Sequence, residues 1–159
     1  MKNFVSSDGP LFPKDAVAAI ILDEEDSALL QLRDNVSQIF FPNHWGLFGG
    51  AIEDGECHLE ALNRELLEEL SLNFNEANVE PFMSLRLPFG IGKPTVLREV
   101  YTVRTTKKFL SGLNLNEGQK AQSFNKQDCL RLSNLTPYDE FSLWCYFNKH
   151  RIDGPSFVN

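Results

Sequence analysis

The stretch from Gly50 to Leu72, which reads GAIEDGECHLEALNRELLEELSL, constrains the fold more than any other part of this chain. Residues three and four apart lie on one side of a helix. On a helical wheel, Glu65, Glu68 and Glu69 fall inside a sector of about 100°. This spacing predicts a helix that buries leucines while it presents its carboxylates to one small space. The apolar sector beside them, about 80° wide, holds Leu59, Leu62, Leu66 and Leu70.

Clustered carboxylates repel one another, so each would hold its proton more tightly than usual. A divalent cation removes this repulsion, and hard oxygen ligands suit Mg²⁺ or Mn²⁺. The alternative is a solvated acidic helix face, because runs of Glu are common on surface helices. Three independent features favour the metal site: the pair Gly49-Gly50 before the helix, the pair Gly55-Glu56 at its start, and Arg64 within it.

The order of these residues resembles the Nudix box, Gly-x5-Glu-x7-Arg-Glu-U-x-Glu-Glu-x-Gly-U, in which U is aliphatic. Every defined position matches except one, where Ser71 replaces the final Gly. The resemblance implies an α/β fold, an α/β/α sandwich around a mixed β-sheet, and hydrolysis of nucleoside diphosphates linked to another group. The family Gly would end the helix with a positive φ. A serine there costs about 1 kcal/mol, which a folded domain can absorb.

The resemblance also implies roles for the box residues. Glu65 and Glu69 are expected to bind the metal directly, and Glu68 is expected to be a ligand, the catalytic base or both. The carbonyl of Gly49 is a further expected ligand, since a glycine lets the backbone approach the metal closely.

Three other box residues are expected to support these ligands. Gly50 and Glu56 belong to the loop and the helix start, where their role is structural. Arg64 is expected to orient a box carboxylate through a bidentate hydrogen bond. The alternative for Arg64 is a surface ion pair.

A second motif lies outside the box. The segment from Asn116 to Gln119, which reads NEGQ, resembles the Glu-Gly-Gln loop of MutT-like members. In those proteins a loop Glu completes the metal site or serves as the general base, and Glu117 is the corresponding candidate. A plain loop glutamate is the alternative, and Glu99 is the rival acid.

The substrate contacts are less specific in the sequence. Trp45, Phe48, Phe89 and Tyr101 are candidates for stacking on a base, although each of these aromatic residues is also suited to core packing. Arg33 is a candidate contact to a distal phosphate or a sugar, and a surface pair with Asp34 is the alternative.

Composition narrows the class of protein. The chain has 159 residues, which suits one domain, and its formal net charge of −7 predicts no general nucleic-acid binding. Its three cysteines are an odd number without metal-ligand spacing, as expected in a reducing compartment. The start, MKNFVSSDGP, is not typical of a signal peptide, and no apolar run approaches the roughly 20 residues that span a bilayer. We therefore expect a cytoplasmic protein with no membrane contact.

The periodicity of the chain predicts one mixed α/β domain. Residues 1–12 are expected to be a flexible arm, residues 13–153 a single Nudix domain, and residues 154–159 a tail. The predicted strands are 16–23, 28–33, 45–48, 79–87, 96–105 and 121–125, and the predicted helices are 57–70, 126–132 and 137–150. Core packing is predicted for five residues of the last helix: Phe141, Leu143, Trp144, Cys145 and Phe147.

We therefore expect a Mg²⁺-dependent pyrophosphohydrolase, with Mn²⁺ as an alternative cofactor and a small-molecule nucleotide as substrate. Nucleotide sugars, ADP-ribose-like diphosphates and nucleoside triphosphates all remain open as substrates. One alternative is a catalytically silent domain that senses a nucleotide or binds a partner, and another is a purely structural acidic domain. A homodimer also remains open.

Overall fold

The computed structural model describes residues 11–73 and 78–152. The expectations for residues 1–10 and 153–159 lie outside these ranges. The strands are β1 (Ala16–Leu22), β2 (Ala28–Leu32), β3 (Trp45–Gly46), β4 (Asn78–Pro88), β5 (Thr95–Arg104) and β6 (Lys120–Phe124). The helices are α1 (His58–Leu70), α2 (Lys107–Leu110), α3 (Lys126–Cys129), α4 (Pro137–Phe147) and α5 (Lys149–Ile152).

The six strands form one mixed sheet in which β1 is central. Strand β1 pairs in parallel with β5, and β5 pairs in antiparallel with β4. On the other side, the start of β2 pairs in antiparallel with β1, and the end of β2 pairs with β3. The opposite edge of β2 pairs with β6 along its whole length. The mixed sheet predicted from the sequence is confirmed.

The two faces of β1 are both buried, which explains its almost continuous apolar sequence. Val17, Ala19 and Ile21 pack in one core cluster with leucines of α1. The alternate residues of β1, including Ala18 and Ile20, pack in a second cluster with α4. Helices therefore cover both faces, and the predicted α/β/α sandwich is confirmed.

Helix α1 begins and ends with identifiable caps. The Glu60 carboxylate accepts a hydrogen bond of 2.8 Å from the Cys57 N–H, the residue before the first helical one. At the other end Ser71 adopts the left-handed conformation, with φ 54° and ψ 28°. The N–H groups of Ser71 and Leu72 donate to the last helical carbonyls, those of Leu67 and Leu66. The positive φ predicted at this position is confirmed, although the residue is not glycine.

The prediction of core packing was wrong for two aromatic residues of α4. Phe141 and Trp144 are 52% and 44% exposed. The helix contacts the sheet through residues at helical spacing, and Phe141 and Trp144 lie on the other side of that stripe. The buried residues of α4 are Asp139, Ser142, Leu143, Tyr146 and Phe147.

Three smaller predictions also differ from the structure. Leu59, assigned to the apolar sector of α1, is 49% exposed because the buried stripe of this helix begins at Ala61. Helix α2 was not predicted from the sequence. It begins after Thr106, whose side chain accepts a hydrogen bond of 3.1 Å from the Phe109 N–H. Helix α4 ends at Phe147, three residues earlier than predicted.

No helix within residues 11–73 and 78–152 combines the length and the hydrophobicity that crossing a membrane requires. Cys57, Cys129 and Cys145 are all free thiols.

The packing of α1 on the sheet leads to a first prediction. Leu66 is fully buried, whereas its neighbour Leu67 is 50% exposed. Leu66→Ala should lower the free energy of unfolding by about 2–5 kcal/mol, because it removes buried surface and leaves a cavity. Leu67→Ala is the matched control and should change the free energy by no more than about 0.5 kcal/mol. Urea unfolding measures both variants, and equal losses would contradict this orientation of the helix.

Candidate active site

Arg64 lies at the centre of the box and joins the loop to the helix. Its Nε and Nη2 donate to the two oxygens of Glu56, at 2.7 and 2.9 Å. Nη2 also donates to the Ala51 carbonyl at 2.9 Å, and Nη1 donates to Glu65 at 2.8 Å. A longer contact of 3.4 Å reaches Glu68. Arg64 therefore makes its bidentate pair with Glu56 and holds Glu65 in place with its remaining nitrogen.

These hydrogen bonds also set the charge of both partners. The hydrogen bond from Arg64 is the main reason that the pKa of Glu56 is lowered to about 2. The same contact raises the pKa of Arg64 above its ordinary value. Both groups are therefore ionised at neutral pH.

Glu69 is the buried acid of the box. Its side chain lies against the loop before α1 and is 5% exposed. One carboxylate oxygen accepts from the Gly49 N–H at 2.8 Å, and the other accepts from the Gln31 side chain at 2.9 Å. Burial raises the pKa of Glu69 to about 7, and the charges of Glu65 and Glu117 act in the same direction. Glu69 is therefore the box acid whose charge is least favoured in the metal-free protein.

Glu65 faces the glycine loop, where its carboxylate leaves no room for a side chain. A Cβ atom on Gly50 would lie 2.5 Å from the carboxyl carbon of Glu65. Burial raises the pKa of Glu65, while its hydrogen bond with Arg64 opposes that change. A side chain at Gly50 would therefore displace the Glu65 carboxylate from the position in which Arg64 holds it.

Gly49 is constrained by the central strand. Its φ is 126°, and a Cβ atom there would collide with the carbonyl of Val17 and lie 2.9 Å from the Cα of Ala18. The neighbouring carbonyls of Gly50 and Phe48 accept hydrogen bonds from β1, both at 2.9 Å. The glycine pair therefore passes directly along the edge of β1.

Asn116 attaches the loop before β6 to the end of α1. Its N–H donates to the Glu69 carbonyl at 2.8 Å, and its side-chain amide donates to the Glu68 carbonyl at 2.8 Å and to Ser71 Oγ at 3.2 Å. The next residue, Glu117, is exposed beside the box helix. Its charge contributes to the raised pKa values of Glu65 and Glu69. Glu117 therefore lies close enough to Glu65 and Glu69 for their charges to interact.

Gly118 and Gln119 hold the other end of this loop. The φ of Gly118 is 85°, and a Cβ atom there would lie 3.0 Å from the side-chain oxygen of Gln31. The N–H of Gln119 donates to the Leu32 carbonyl at 2.8 Å, and its side chain donates to the Arg33 carbonyl at 2.7 Å. The loop therefore packs on Gln31, the residue that hydrogen-bonds Glu69.

Glu65 and Glu69, two of the predicted metal ligands, both lie against the glycine pair. Among residues 11–73 and 78–152, no three Asp, Glu, His or Cys side chains lie close enough together to hold a metal ion. The donor set nevertheless fits a hard divalent cation, because it consists of carboxylate oxygens beside a glycine loop. Glu65 and Glu69 both have raised pKa values, to which the charge of Glu117 contributes, and a cation would offset this repulsion.

A cavity of about 210 Å³ opens beside the glycine pair. Arg33 and Phe89, two of the predicted substrate contacts, line it. Several other lining residues, which combine aromatic rings with positive charge, were not predicted from the sequence: Phe12, Lys14, Phe40, Arg98 and Tyr138. Arg33 Nε donates to the backbone carbonyl of Phe40 at 3.0 Å, which holds the Arg33 side chain beside the segment that contains Phe40.

Arg98 is held from behind by Asp139 of α4. Its Nη2 donates to Asp139 at 2.8 Å, and its guanidinium carbon lies 4.6 Å above the centre of the Tyr138 ring. The other oxygen of Asp139 accepts from the Leu47 N–H at 3.0 Å and from Thr136 Oγ1 at 2.7 Å. Asp139 thereby joins α4, β5 and the strand that leads into the glycine pair.

The remaining predicted contacts lie elsewhere. Phe48 is fully buried and Tyr101 is 7% exposed, both in the core beneath α1. Trp45 is 9% exposed in the other core cluster, with its ring 4.9 Å from that of Phe124. Glu99 accepts a hydrogen bond of 2.7 Å from Ser84 on β4. These three aromatic rings pack in the core and do not line the cavity.

The NUDIX domain family model matches residues 12–145. Among curated proteins, none matches the chain significantly. A MutT protein from Methanosarcina mazei Go1 is 19% identical, with 88% of this chain and 99% of that chain covered and a TM-score of 0.67.

Two further solved structures have a similar fold. A C. elegans Ap4A hydrolase in a binary complex is 16% identical, with 86% of this chain and 98% of that chain covered and a TM-score of 0.63. The NUDIX domain of Shewanella oneidensis NrtR, complexed with ADP ribose, is 18% identical, with 89% and 90% covered and a TM-score of 0.65. At these identities the likeness shows the fold.

The buried carboxyl of Glu69 gives the metal-free protein a pH-dependent stability. Because its folded pKa is about 7, above the ordinary 4.5, the folded protein keeps a proton that the unfolded chain releases between these values. This contribution is present below about pH 4.5 and is lost as the pH rises to about 7. At pH 8 in EDTA, Glu69→Gln should therefore be more stable than the wild type by up to about 3 kcal/mol, and at pH 4.5 the two should be similar.

Urea unfolding from pH 4.5 to 8 measures this difference. Glu80→Gln is the control, since Glu80 is an exposed acid on β4 away from the box. This variant should follow the wild-type dependence on pH. A constant difference between Glu69→Gln and the wild type at every pH would refute the assignment to Glu69.

Proposed function

Because the chain belongs to the Nudix family, as its match over residues 12–145 shows, we propose that it is a Mg²⁺-dependent pyrophosphohydrolase. It would cleave the diphosphate linkage between a nucleoside and another group. The observation that carries this proposal is the position of the box acids. Glu65 and Glu69 lie against the glycine pair with raised pKa values, next to a cavity lined by cations.

Glu65 and Glu69 are the proposed principal ligands of Mg²⁺, and Mn²⁺ would suit the same oxygens. Glu68, Glu117 and the Gly49 carbonyl are the proposed additional ligands. When bound, the ion would neutralise phosphate charge and make a coordinated water more acidic. The buried position of Glu69 supports this assignment, because the ion would stabilise a charge that burial disfavours.

Glu68 and Glu117 are the two proposed general bases. Both are exposed, and the contact of Glu68 with Arg64 is the longest that Arg64 makes, at 3.4 Å. An exposed carboxylate with a weak internal partner can reach a water molecule and accept its proton. Glu56 is less suited to this role, because two hydrogen bonds from Arg64 hold its charge.

Two of the similar structures support a nucleotide substrate. One is an Ap4A hydrolase, and another has ADP ribose bound to its NUDIX domain. Ap4A and ADP ribose both contain a nucleoside joined to a second group through a phosphoanhydride linkage. The alternative is a domain that binds such a ligand without cleaving it, and only a hydrolysis assay separates the two functions.

Replacing Glu68 by Gln should reduce hydrolysis by about 100-fold or more, because it removes a candidate base while preserving the size of the side chain. The assay is release of nucleoside monophosphate from nucleoside triphosphates, nucleotide sugars and dinucleotides with Mg²⁺ or Mn²⁺, together with pyrophosphate from the triphosphates. Glu117→Gln, assayed in parallel, shows which of the two acids is the base. Glu80→Gln is the control and should retain the wild-type rate.

The outcomes of this assay separate the functions. Activity that disappears in Glu68→Gln or Glu117→Gln supports the hydrolase. Unchanged activity in both variants would exclude the proposed base residues. No product from the wild type, together with saturable ligand binding, would favour the sensing domain.

A further inference from the structure

The cavity beside the glycine pair has a composition that selects among substrates. It lies where the diphosphate would meet the box acids, so the inference rests on the proposed function. Its volume, about 210 Å³, is below the roughly 300 Å³ at which pockets begin to enclose a whole drug-sized ligand. It has room for one ring system and its attached anionic group, while the remainder of the substrate stays outside.

The aromatic side of the cavity offers a free ring surface. Phe40 and Phe89 contact each other with ring centres 5.7 Å apart and planes inclined at 53°. Phe89 is 44% exposed, and Phe12 at the same cavity is 76% exposed. A tilted pair at this distance has no space for a ring between its members. A ligand ring would therefore stack on the outer face of Phe89, with Phe40 supporting it from behind.

The other side of the cavity is positive. Lys14, Arg33 and Arg98 line it, and none of the described lining residues is Asp, Glu, Asn or Gln. The Nε of Arg98 is buried and has no hydrogen-bond acceptor among the described residues. The positive charge is a property of this wall of the cavity, since the chain as a whole has a net charge of −7. An anionic group is the ligand that this wall favours.

The same composition disfavours a neutral sugar. Sugar hydroxyls need several donors and acceptors, and the acceptor side chains that usually bind them are missing from the described lining. An aromatic base needs only a ring surface for stacking.

We propose that this cavity binds the base and the adjacent phosphate of a nucleotide, with the base on Phe89 and the phosphate beside Arg33 and Arg98. The substrates selected in this way present a nucleobase to the cavity, and the group beyond the diphosphate, such as a second sugar or a second nucleotide, stays outside it. Phe89 then determines affinity for the base, and Arg33 determines affinity for the phosphate.

Nucleoside monophosphates test this proposal without hydrolysis, because they contain no phosphoanhydride bond. Calorimetry measures the binding of AMP, GMP, CMP and UMP, with ribose 5-phosphate as the ligand that lacks a base. At least one nucleotide should bind about 10-fold or more tightly than ribose 5-phosphate. Equal affinity for all five, or no nucleotide binding by the wild type, would overturn the proposal.

Variants at Phe89 separate stacking from other contacts. Phe89→Ala should weaken binding of the preferred nucleotide by about 10-fold or more and leave ribose 5-phosphate unchanged, whereas Phe89→Tyr should restore it. Ile91→Ala is the matched control, since Ile91 follows in the same loop and is fully exposed outside the cavity. Wild-type nucleotide affinity in Phe89→Ala would overturn the stacking contact.

Arg33→Gln tests the phosphate contact separately. It should weaken nucleotide and ribose 5-phosphate to a similar degree, and added salt should reduce the difference from the wild type. Loss of nucleotide binding alone would overturn this role. Nucleotide binding through Phe89 without hydrolysis of any substrate would refute the proposed function and leave this inference intact. Hydrolysis that is unaffected by Phe89→Ala would refute this inference and leave the proposed function intact.

Discussion

The guanidinium group of Arg64 is the contact on which the geometry of the site depends. It joins a loop acid, a loop carbonyl and the helix acid Glu65 in one planar network. Arginine suits this position because its donors form a rigid fork, while a lysine offers a single charged point. The network places positive charge among the acids of a metal-free box. It also holds the loop at Ala51 against α1 in the metal-free protein.

A second connection joins the box to the loop that contains Glu117. Asn116 donates to two carbonyls at the end of α1 and to the hydroxyl of Ser71. Helix carbonyls near a C-terminus have no partners within the helix, so a side-chain amide is a suitable donor for them. The serine that departs from the family pattern provides an acceptor that a glycine would lack. The unusual residue therefore attaches the helix end to the loop.

The sequence predicted most of the fold because the pattern of apolar residues is clear in the elements that pack in the core. Strand β1 and helix α1 were both predicted within one residue at each end. The errors on Phe141 and Trp144 arose because an aromatic residue was treated as a core residue without regard to its position on the helix. Only the tertiary structure shows which stripe of α4 meets the sheet.

In the candidate site, the box acids were predicted from the sequence, and the contacts between residues of separate elements were not. The box acids stand close together in the sequence, so their spacing alone places them on one helix face. Gln31, Arg98 and Asp139 come from separate elements, and their contacts depend on how the strands are ordered. The exposed Phe89 was among the predicted stacking residues, but nothing in the sequence distinguished it from the buried Phe48.

The burial of both faces of β1 has a consequence for the chain before it folds. Ala16–Leu22 is a seven-residue segment without a charge, and it is the type of sequence that associates with copies of itself when exposed. Charged residues flank it on both sides, with Lys14 and Asp15 before it and four acids after it, from Asp23 to Asp26. Such flanking charges oppose intermolecular strand pairing. Asp23 also accepts hydrogen bonds from the N–H groups of Glu25 and Ser27, both at 2.9 Å. Asp23 thus shapes the turn after β1 in the folded domain and is one of the charges that oppose strand pairing of the unfolded chain.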